Sequence, residues 1–185
     1  MTHTLFIKNM VCNRCKMTII NLLDEEGYEV ESIQLGKVVV KEFSINDYAK
    51  LEARLNTLGF EVIKDSVKAL VEKIKINVIQ HIEKNDTVEI VSKLESEIGK
   101  SYSTLSKTFS KSEGITLEKY LINLKIEQAK ELIQLNQLNF SEIAYSLNYK
   151  NSSHLAKQFK VITGMSMTEY KTLKNGDRKA LDQIV

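Results

Sequence analysis

The chain has 185 residues, enough for one ordinary domain or two small ones. Hydrophobic residues make up 43% of it and charged residues 27%, a globular composition that excludes a disordered or fibrous protein. Its apolar runs are far shorter than the ~20 residues of a membrane helix, and its first residues lack the pattern of a signal peptide. We therefore expect a soluble, intracellular protein with no membrane partner.

Charge and cysteine content narrow the class of protein further. Residues 1–65 carry eight Lys and Arg against ten Asp and Glu, whereas residues 66–185 carry 18 against 14. The mild excess of basic residues in residues 66–185 predicts that this part of the chain has a basic surface for binding a partner. The two cysteines, Cys12 and Cys15, are too few for a disulfide framework and favour a reducing compartment.

Residues 1–65 alternate between strand and helix patterns. Strands are predicted over residues 4–7, 30–35, 38–43 and 60–63, and helices over residues 15–26 and 44–58. Ser44, with Asp47 three residues later, predicts the start of the second helix. The buried stripe of that helix is predicted to be Tyr48, Leu51, Leu55 and Leu58. The order β-α-β-β-α-β predicts an α+β domain of ferredoxin-like arrangement, with two helices on one face of a small sheet.

After residue 65 every segment has a helical pattern, which predicts an all-α part. A connecting helix is predicted over residues 66–82 from apolar residues that share one helical face: Val67, Leu70, Val71, Ile74, Val78 and Ile82. We place a domain boundary at residues 64–67.

Two later stretches share one layout, a short helix followed by a turn and a second helix. Each turn contains a residue able to adopt the left-handed conformation, Gly99 in the first and Asn148 in the second. Each second helix has a Leu and a Phe four residues apart: Leu105 and Phe109, then Leu155 and Phe159. This pattern predicts a double helix-turn-helix domain. A helix of about 20 residues between the motifs would span roughly 30 Å, close to the ~34 Å turn of B-DNA, so both second helices could enter successive major grooves.

Residues 68–174 resemble the DNA-binding domain of the AraC/XylS family of bacterial transcription regulators. The residues that carry the resemblance are Ile143-Ala144, Tyr149, Leu155, Phe159-Lys160, Gly164, Ser166 and Tyr170. Four positions depart from the family pattern. Glu95 stands where the family usually has Ala, Asn148 where it has Gly, Met167 where it has Pro, and Lys171 where it has Arg. The resemblance implies a DNA-binding domain over residues 83–174, followed by a tail over residues 175–185. It further implies a cytoplasmic bacterial protein that is not an enzyme and that binds double-stranded DNA and, if it activates transcription, RNA polymerase.

The family's base-reading positions lie on the exposed face of each second helix. Carried over to this chain, they are Ser103, Ser106, Lys107, Ser153, His154, Lys157 and Gln158. Lysine can donate to guanine O6 and N7, glutamine can pair with adenine, and serine can bind either base. Lys111, Lys150 and Lys160 are candidates for phosphate contacts, which set register without reading sequence.

The cysteine pair lies between the first strand and the first helix, where a helix start favours thiolate. A thioredoxin-like dithiol site is one alternative, although the chain has no Trp and no Pro. A structural zinc site needs four ligands, whereas a soft ion such as Cu(I) is satisfied by two or three thiolates. With the predicted strand order, the motif Met10-Val11-Cys12-Asn13-Arg14-Cys15 and the later Gly59-Phe60 resemble the heavy-metal-associated domain of copper chaperones and metal-pumping ATPases. That resemblance implies Cys12 and Cys15 as ligands of Cu(I) or of another thiophilic ion such as Zn(II).

Together these patterns predict a sequence-specific transcription regulator that responds to a soft metal ion through residues 1–65. Two alternatives stay open. In one, the N-terminal domain is a dimerisation or interaction module without metal, which would make a homodimer. In the other, the protein is a metal carrier whose helical part docks to a protein partner.

Overall fold

The computed structural model describes residues 2–41, 48–84, 89–173, 178, 179, 181 and 184. Its elements in chain order are β1 Thr2–Lys8, α1 Asn13–Glu25, β2 Glu29–Gln34, β3 Lys37–Lys41, α2 Tyr48–Thr57, β4 Glu61–Ile63, α3 Ser66–Glu83, α4 Ile90–Ile98, α5 Tyr102–Glu113, α6 Leu117–Leu135, α7 Phe140–Ser146, α8 Ser152–Thr163 and α9 Met167–Thr172. The chain divides into two compact units, Met1–Ile76 and Asn77–Val185. Within the described ranges, every helix is too short or too polar to cross a membrane.

The first unit contains a four-stranded sheet with the strand order β2-β3-β1-β4. All three pairings are antiparallel, and they place Leu5 opposite Val38 and Ile7 opposite Val62. A register shift between Val30 and Ser32 interrupts the pairing of β2 with β3. The strands and helices of residues 1–65 therefore follow one another in the order that the sequence predicts.

The core of the first unit lies between the sheet and the helices α1 and α2. Alternate residues of β1, Leu5 and Ile7, are buried there, as the period of two in a strand requires. Helix α1 contributes Ile19, Leu22 and Leu23, and α2 contributes Leu51 and Leu55. Burying one such side chain contributes roughly 1.5–3 kcal/mol, so these contacts hold both helices on the sheet.

Helix α2 differs from its predicted form at its C-terminal end. Leu58, predicted to be in the buried stripe, is 48% exposed. The helix ends at Thr57, and the chain turns at Gly59, whose φ of 83° is left-handed. Leu58 therefore leaves the direction of the stripe. The predicted helix start at Ser44 and Asp47 lies outside the described residues.

Helix α3 has most of the predicted apolar face. The first residue of that face, Val67, differs from the prediction. Val71, Ile74, Val78 and Ile82 are buried as expected, whereas Val67 is half exposed. Val67 lies in the first turn, where Asp65 caps the helix by accepting the backbone N–H of Val67 at 2.7 Å.

The second unit has two apolar clusters that share α6. At one end of α6, the Tyr120 ring packs on Phe109 of α5 with ring centroids 5.0 Å apart. At the other end, Ile126, Ala129 and Ile133 enter a cluster with residues of α7, α8 and α9. This arrangement makes α6 the common support of both short helix pairs.

The turn between β2 and β3 provides a stability test of the first unit. A Cβ added at Gly36 would lie 2.6 Å from Cδ1 of the buried Ile76, and Gly36 has a left-handed φ of 74°. Gly36→Ala should therefore lower the free energy of unfolding by about 1–2 kcal/mol for the left-handed backbone and by about 1–3 kcal/mol more for overpacking. Urea unfolding measures the change.

Gly27→Ala is the matched control for this substitution. Gly27 has the same left-handed conformation, with φ of 79°, but its added Cβ meets no atom within 4 Å. This variant should lose only the backbone contribution. Equal losses in the two variants would mean that Ile76 moves aside at no cost.

Candidate nucleic-acid interface

The first helix-turn-helix motif consists of α4, a turn at Gly99 and α5. Gly99 ends α4 in the left-handed conformation, with φ of 75°, as predicted for a turn residue. Glu95 on α4 reaches across the turn, where its carboxylate accepts the backbone N–H of Tyr102 at 2.6 Å. Because the first N–H groups of a helix have no partner within it, Glu95 stabilises the start of α5.

The second motif consists of α7, a turn at Asn148 and α8. Asn148 has a left-handed φ of 56°, also as predicted. Asn139 and Glu142 form a capping box at the start of α7. The Asn151 side chain accepts the backbone N–H of His154 at 2.9 Å and caps α8. Side-chain hydrogen bonds therefore cap the first turn of both helices of this motif.

The two motifs are joined by the predicted long helix. Helix α6 has 19 residues and a length of about 28 Å. The Thr116 side chain caps its start by accepting the backbone N–H of Lys119 at 3.1 Å. Asn136, with φ of 54°, ends it in the left-handed conformation. The sequence therefore defines both ends of α6, the helix that separates the two motifs.

Helix α5 places its candidate base-reading residues opposite a buried pair. Leu105 and Phe109 are fully buried, whereas Ser103 and Lys107 are exposed. Ser106 is half-buried at the edge of this outer face. Lys111, the predicted phosphate contact, is exposed in the last turn of the helix.

Helix α8 repeats this arrangement. Leu155 and Phe159 are fully buried, and the exposed candidates on the helix and just before it are Ser153, His154, Lys157, Lys160 and Lys150. Lys157 follows the buried Leu155 by two positions in the sequence, as Lys107 follows Leu105 in α5. Neither Lys107 nor Lys157 forms an ion pair with another described residue, so both ammonium groups are free to bind an anion.

Gln158 is half-buried rather than exposed, at the edge of the outer face of α8. Its Oε1 accepts a hydrogen bond from the hydroxyl of Tyr149 at 2.6 Å. The Tyr149 ring meets the His154 ring edge-on at 5.4 Å, and the Lys125 ammonium lies 5.5 Å from its centroid. Burial raises the pKa of Tyr149 to about 12 and lowers the pKa of Lys125. These roles of Tyr149 and Lys125 are not evident in the sequence, because no local spacing relates them to α8.

The cysteine pair occupies the start of α1 in the first unit. Cys12 is the N-cap residue, and its Sγ lies 3.4 Å from Sγ of Cys15. The nearby backbone N–H of Cys15 lowers the pKa of the Cys12 thiol, with Arg14 adding to this effect, whereas burial raises the pKa of the Cys15 thiol. Among the described residues, no three or more His, Cys, Asp or Glu side chains form a group that could hold a metal ion. The pair therefore offers two sulfur ligands without a third from this part of the chain.

Comparison with known proteins identifies the family of the helix-turn-helix part of the chain. A family model described as "Helix-turn-helix domain" matches residues 94–172. An HTH-type transcriptional regulator from the cgkA 5' region of Pseudoalteromonas carrageenovora is 31% identical over 114 residues, which cover 58% of this chain and 68% of the relative. The chain belongs to the AraC-type helix-turn-helix transcriptional regulators.

Two further proteins are similar to this chain. The HTH-type transcriptional regulator YtdP of Bacillus subtilis (strain 168) is 23% identical over 162 residues, which cover 84% of this chain and about a fifth (21%) of YtdP. The C-terminal domain of AraT, a response regulator from Geobacillus stearothermophilus, matches with a TM-score of 0.50 and 20% identity, over 62% of this chain and 97% of that domain. This last similarity supports the fold of the helical unit.

The four departures from the AraC-type pattern occur at turns and helix ends. Glu95 caps α5, and Asn148 adopts the left-handed turn that Gly usually provides. Met167 is buried at the first position of α9, where the backbone needs no N–H donor, so Pro and Met are both tolerated. Lys171 is exposed, with its ammonium 5.9 Å from the centroid of the Phe140 ring. All four residues are therefore compatible with the double helix-turn-helix fold.

The unequal thiol environments lead to a prediction about reactivity. Because the pKa of Cys12 is lowered and that of Cys15 is raised, Cys12 has more thiolate at neutral pH and should react first with iodoacetamide. Peptide mass spectrometry of the reduced protein after short exposures at pH 7 measures the two rates. Cys12→Ser and Cys15→Ser provide the single-thiol controls. Equal rates, or faster alkylation of Cys15, would contradict the assignment of Cys12 as the more acidic thiol.

Proposed function

We propose that the protein binds double-stranded DNA sequence-specifically through α5 and α8 and thereby regulates transcription. The main support is that the two second helices, supported by one helix of about 28 Å, each bury a Leu and a Phe and expose a lysine at the same position. A spacer of this length suits two major grooves one turn apart. The AraC-type membership agrees with this use of the motifs.

The exposed side chains suit different parts of such an interface. Lys107 and Lys157 can donate to guanine from the second helices. Lys111, Lys150 and Lys160 lie at or near the ends of these helices, where they suit phosphate contacts that set register. The net charge of +4 over residues 66–185 also favours a polyanionic partner.

Lys107→Ala and Lys157→Ala test this proposal. Each should weaken binding to a selected DNA site about tenfold, because a good lysine–guanine contact contributes roughly 1–3 kcal/mol. Fluorescence anisotropy at several salt concentrations measures the dissociation constant and the number of phosphate contacts.

Lys68→Ala is the matched control, since Lys68 is an exposed lysine on α3 in the other unit. It should leave DNA affinity unchanged. If all three variants bind DNA as the wild type does, the lysines of α5 and α8 do not form the interface. The alternative of a metal carrier docked to a protein partner would then be favoured.

We further propose that residues 1–65 form a ferredoxin-like, heavy-metal-associated domain that responds to a soft ion. The support is the pair of sulfurs converging at the start of α1, one of them with a lowered thiol pKa. The two sulfurs lie 3.4 Å apart, so a single ion could contact both of them. A two-thiolate donor set suits Cu(I) better than a four-ligand zinc site.

Hydrogen bonds of Asn9 connect the cysteine loop with α3 inside the first unit. Its backbone N–H donates to the Glu72 carboxylate on α3 at 2.9 Å, and its Nδ2 donates to the carbonyl of Gly59 at 2.9 Å. An ion that holds Cys12 and Cys15 would favour one arrangement of this loop. Such an ion regulates only if it binds the DNA-binding-competent arrangement with a different affinity.

Titration of Cu(I), Ag(I) and Zn(II) into the wild type and into a Cys12→Ser/Cys15→Ser variant tests this metal response. Because coupling between two sites is typically 1–3 kcal/mol, the DNA affinity of the wild type should change by roughly 5- to 150-fold on Cu(I) binding. The double variant should show no change. Equal DNA affinity of both proteins at every metal concentration would remove the sensor function and favour an N-terminal interaction module. The homodimer and the contact with RNA polymerase stay predictions.

A further inference from the structure

We propose that Tyr149 is a specificity-determining residue that orients the Gln158 amide with its NH2 group toward DNA, so that the second motif selects keto bases, guanine or thymine, rather than adenine. This inference rests on the proposed DNA-binding function. It assigns to Tyr149 a positioning role, since the tyrosine acts through Gln158.

The hydrogen bond between the two side chains determines which end of the amide is available. Tyr149 is buried, with 8% of its surface exposed, and its hydroxyl donates to Oε1 of Gln158 at 2.6 Å. The inward-facing end of the amide is therefore its oxygen. The amide nitrogen, which carries two donors and no acceptor, is the end left to bind another group.

The phenol can act as this donor at any physiological pH. Because burial raises the pKa of Tyr149 to about 12, its hydroxyl keeps its proton throughout the physiological range. The ring is enclosed by the edge-on His154 ring at 5.4 Å and by the Lys125 ammonium at 5.5 Å. These contacts come from α8 and from α6, so two elements fix the direction in which the hydroxyl points.

A side chain that presents only donors distinguishes bases in the major groove. Guanine offers O6 and N7 and thymine offers O4, all of which are acceptors. Cytosine presents only its N4 amino group there, and adenine presents the N6 amino group beside its single acceptor, N7, so an NH2 group finds fewer acceptors on adenine than on guanine and none on cytosine. The familiar bidentate pair of glutamine with adenine needs the amide oxygen as an acceptor beside the base. In this protein that oxygen faces Tyr149.

The experiment selects bound DNA from a random pool with the full chain and its variants, then measures affinities for sites that differ at single base pairs. Gln158→Ala identifies the position that Gln158 reads. At that position the wild type should prefer guanine or thymine by roughly threefold to tenfold, the range of one neutral hydrogen bond. Tyr149→Phe, which removes only the hydroxyl, should lose this preference and admit adenine, with the other positions unchanged.

Two further variants complete the test. Tyr145→Phe is the matched control, because Tyr145 is 69% exposed on α7 of the same motif, and it should keep the wild-type preference. Gln158→Glu keeps the acceptor for Tyr149 but turns the outer end into an acceptor. Its preference should therefore switch to cytosine or adenine, and this result does not depend on the stability of Tyr149→Phe.

Several outcomes would overturn the proposal. One is that Gln158→Ala leaves the base preference unchanged at every position. Another is that Tyr149→Phe keeps the preference for guanine or thymine while its thermal unfolding is unchanged. The third is that Gln158→Glu keeps the wild-type preference. Each would overturn the role of Tyr149 while the DNA-binding function stands. A wild type that selects no DNA would overturn the proposed function and this inference with it.

Discussion

The packing of one Leu and one Phe from each second helix against the rest of the helical unit is the constraint on which the interface depends. Leu105 and Phe109 of α5, like Leu155 and Phe159 of α8, are fully buried. Residues four apart lie on the same side of a helix, so burying this pair leaves one opposite side for Lys107 and for Lys157. Removing a buried Phe costs roughly 3–5 kcal/mol, a large part of the stability of a small domain, so the orientation of each helix is strongly determined.

The two motifs form a similar turn and helix start by different local contacts. In the first, Gly99 supplies the left-handed turn and Glu95 caps α5 across it. In the second, Asn148 supplies the turn and Asn151 caps α8. Asparagine adopts the left-handed conformation more readily than other residues with a Cβ, which explains why the motif tolerates the loss of glycine. In this chain the turn conformation and the helix caps are therefore kept although residues at these positions differ from the family pattern.

The N-terminal unit shows how a short motif depends on its surroundings. Cys12 and Cys15 converge because one is the N-cap and the other lies in the first turn of α1. Their unequal thiol pKa values follow from that placement, since the nearby backbone N–H of Cys15 lowers the pKa of Cys12, while burial raises the pKa of Cys15. Asn9 connects this loop to Gly59 and to Glu72, residues that lie 50 and 63 positions away in the chain. Such a connection is a property of the folded unit.

The sequence by itself determined the elements whose signals are local. The strand and helix order of residues 1–65, the turns at Gly99 and Asn148, and the buried pairs of α5 and α8 all follow from hydrophobic period and from left-handed residues, which act within a few positions. Only the tertiary structure decided that Leu58 leaves the stripe of α2 and that Gln158, half-buried at the edge of the face of Lys157, turns its amide oxygen to Tyr149. Both outcomes depend on where a chain segment bends and on which side chain from another element occupies the adjoining space, and neither is encoded in a local period.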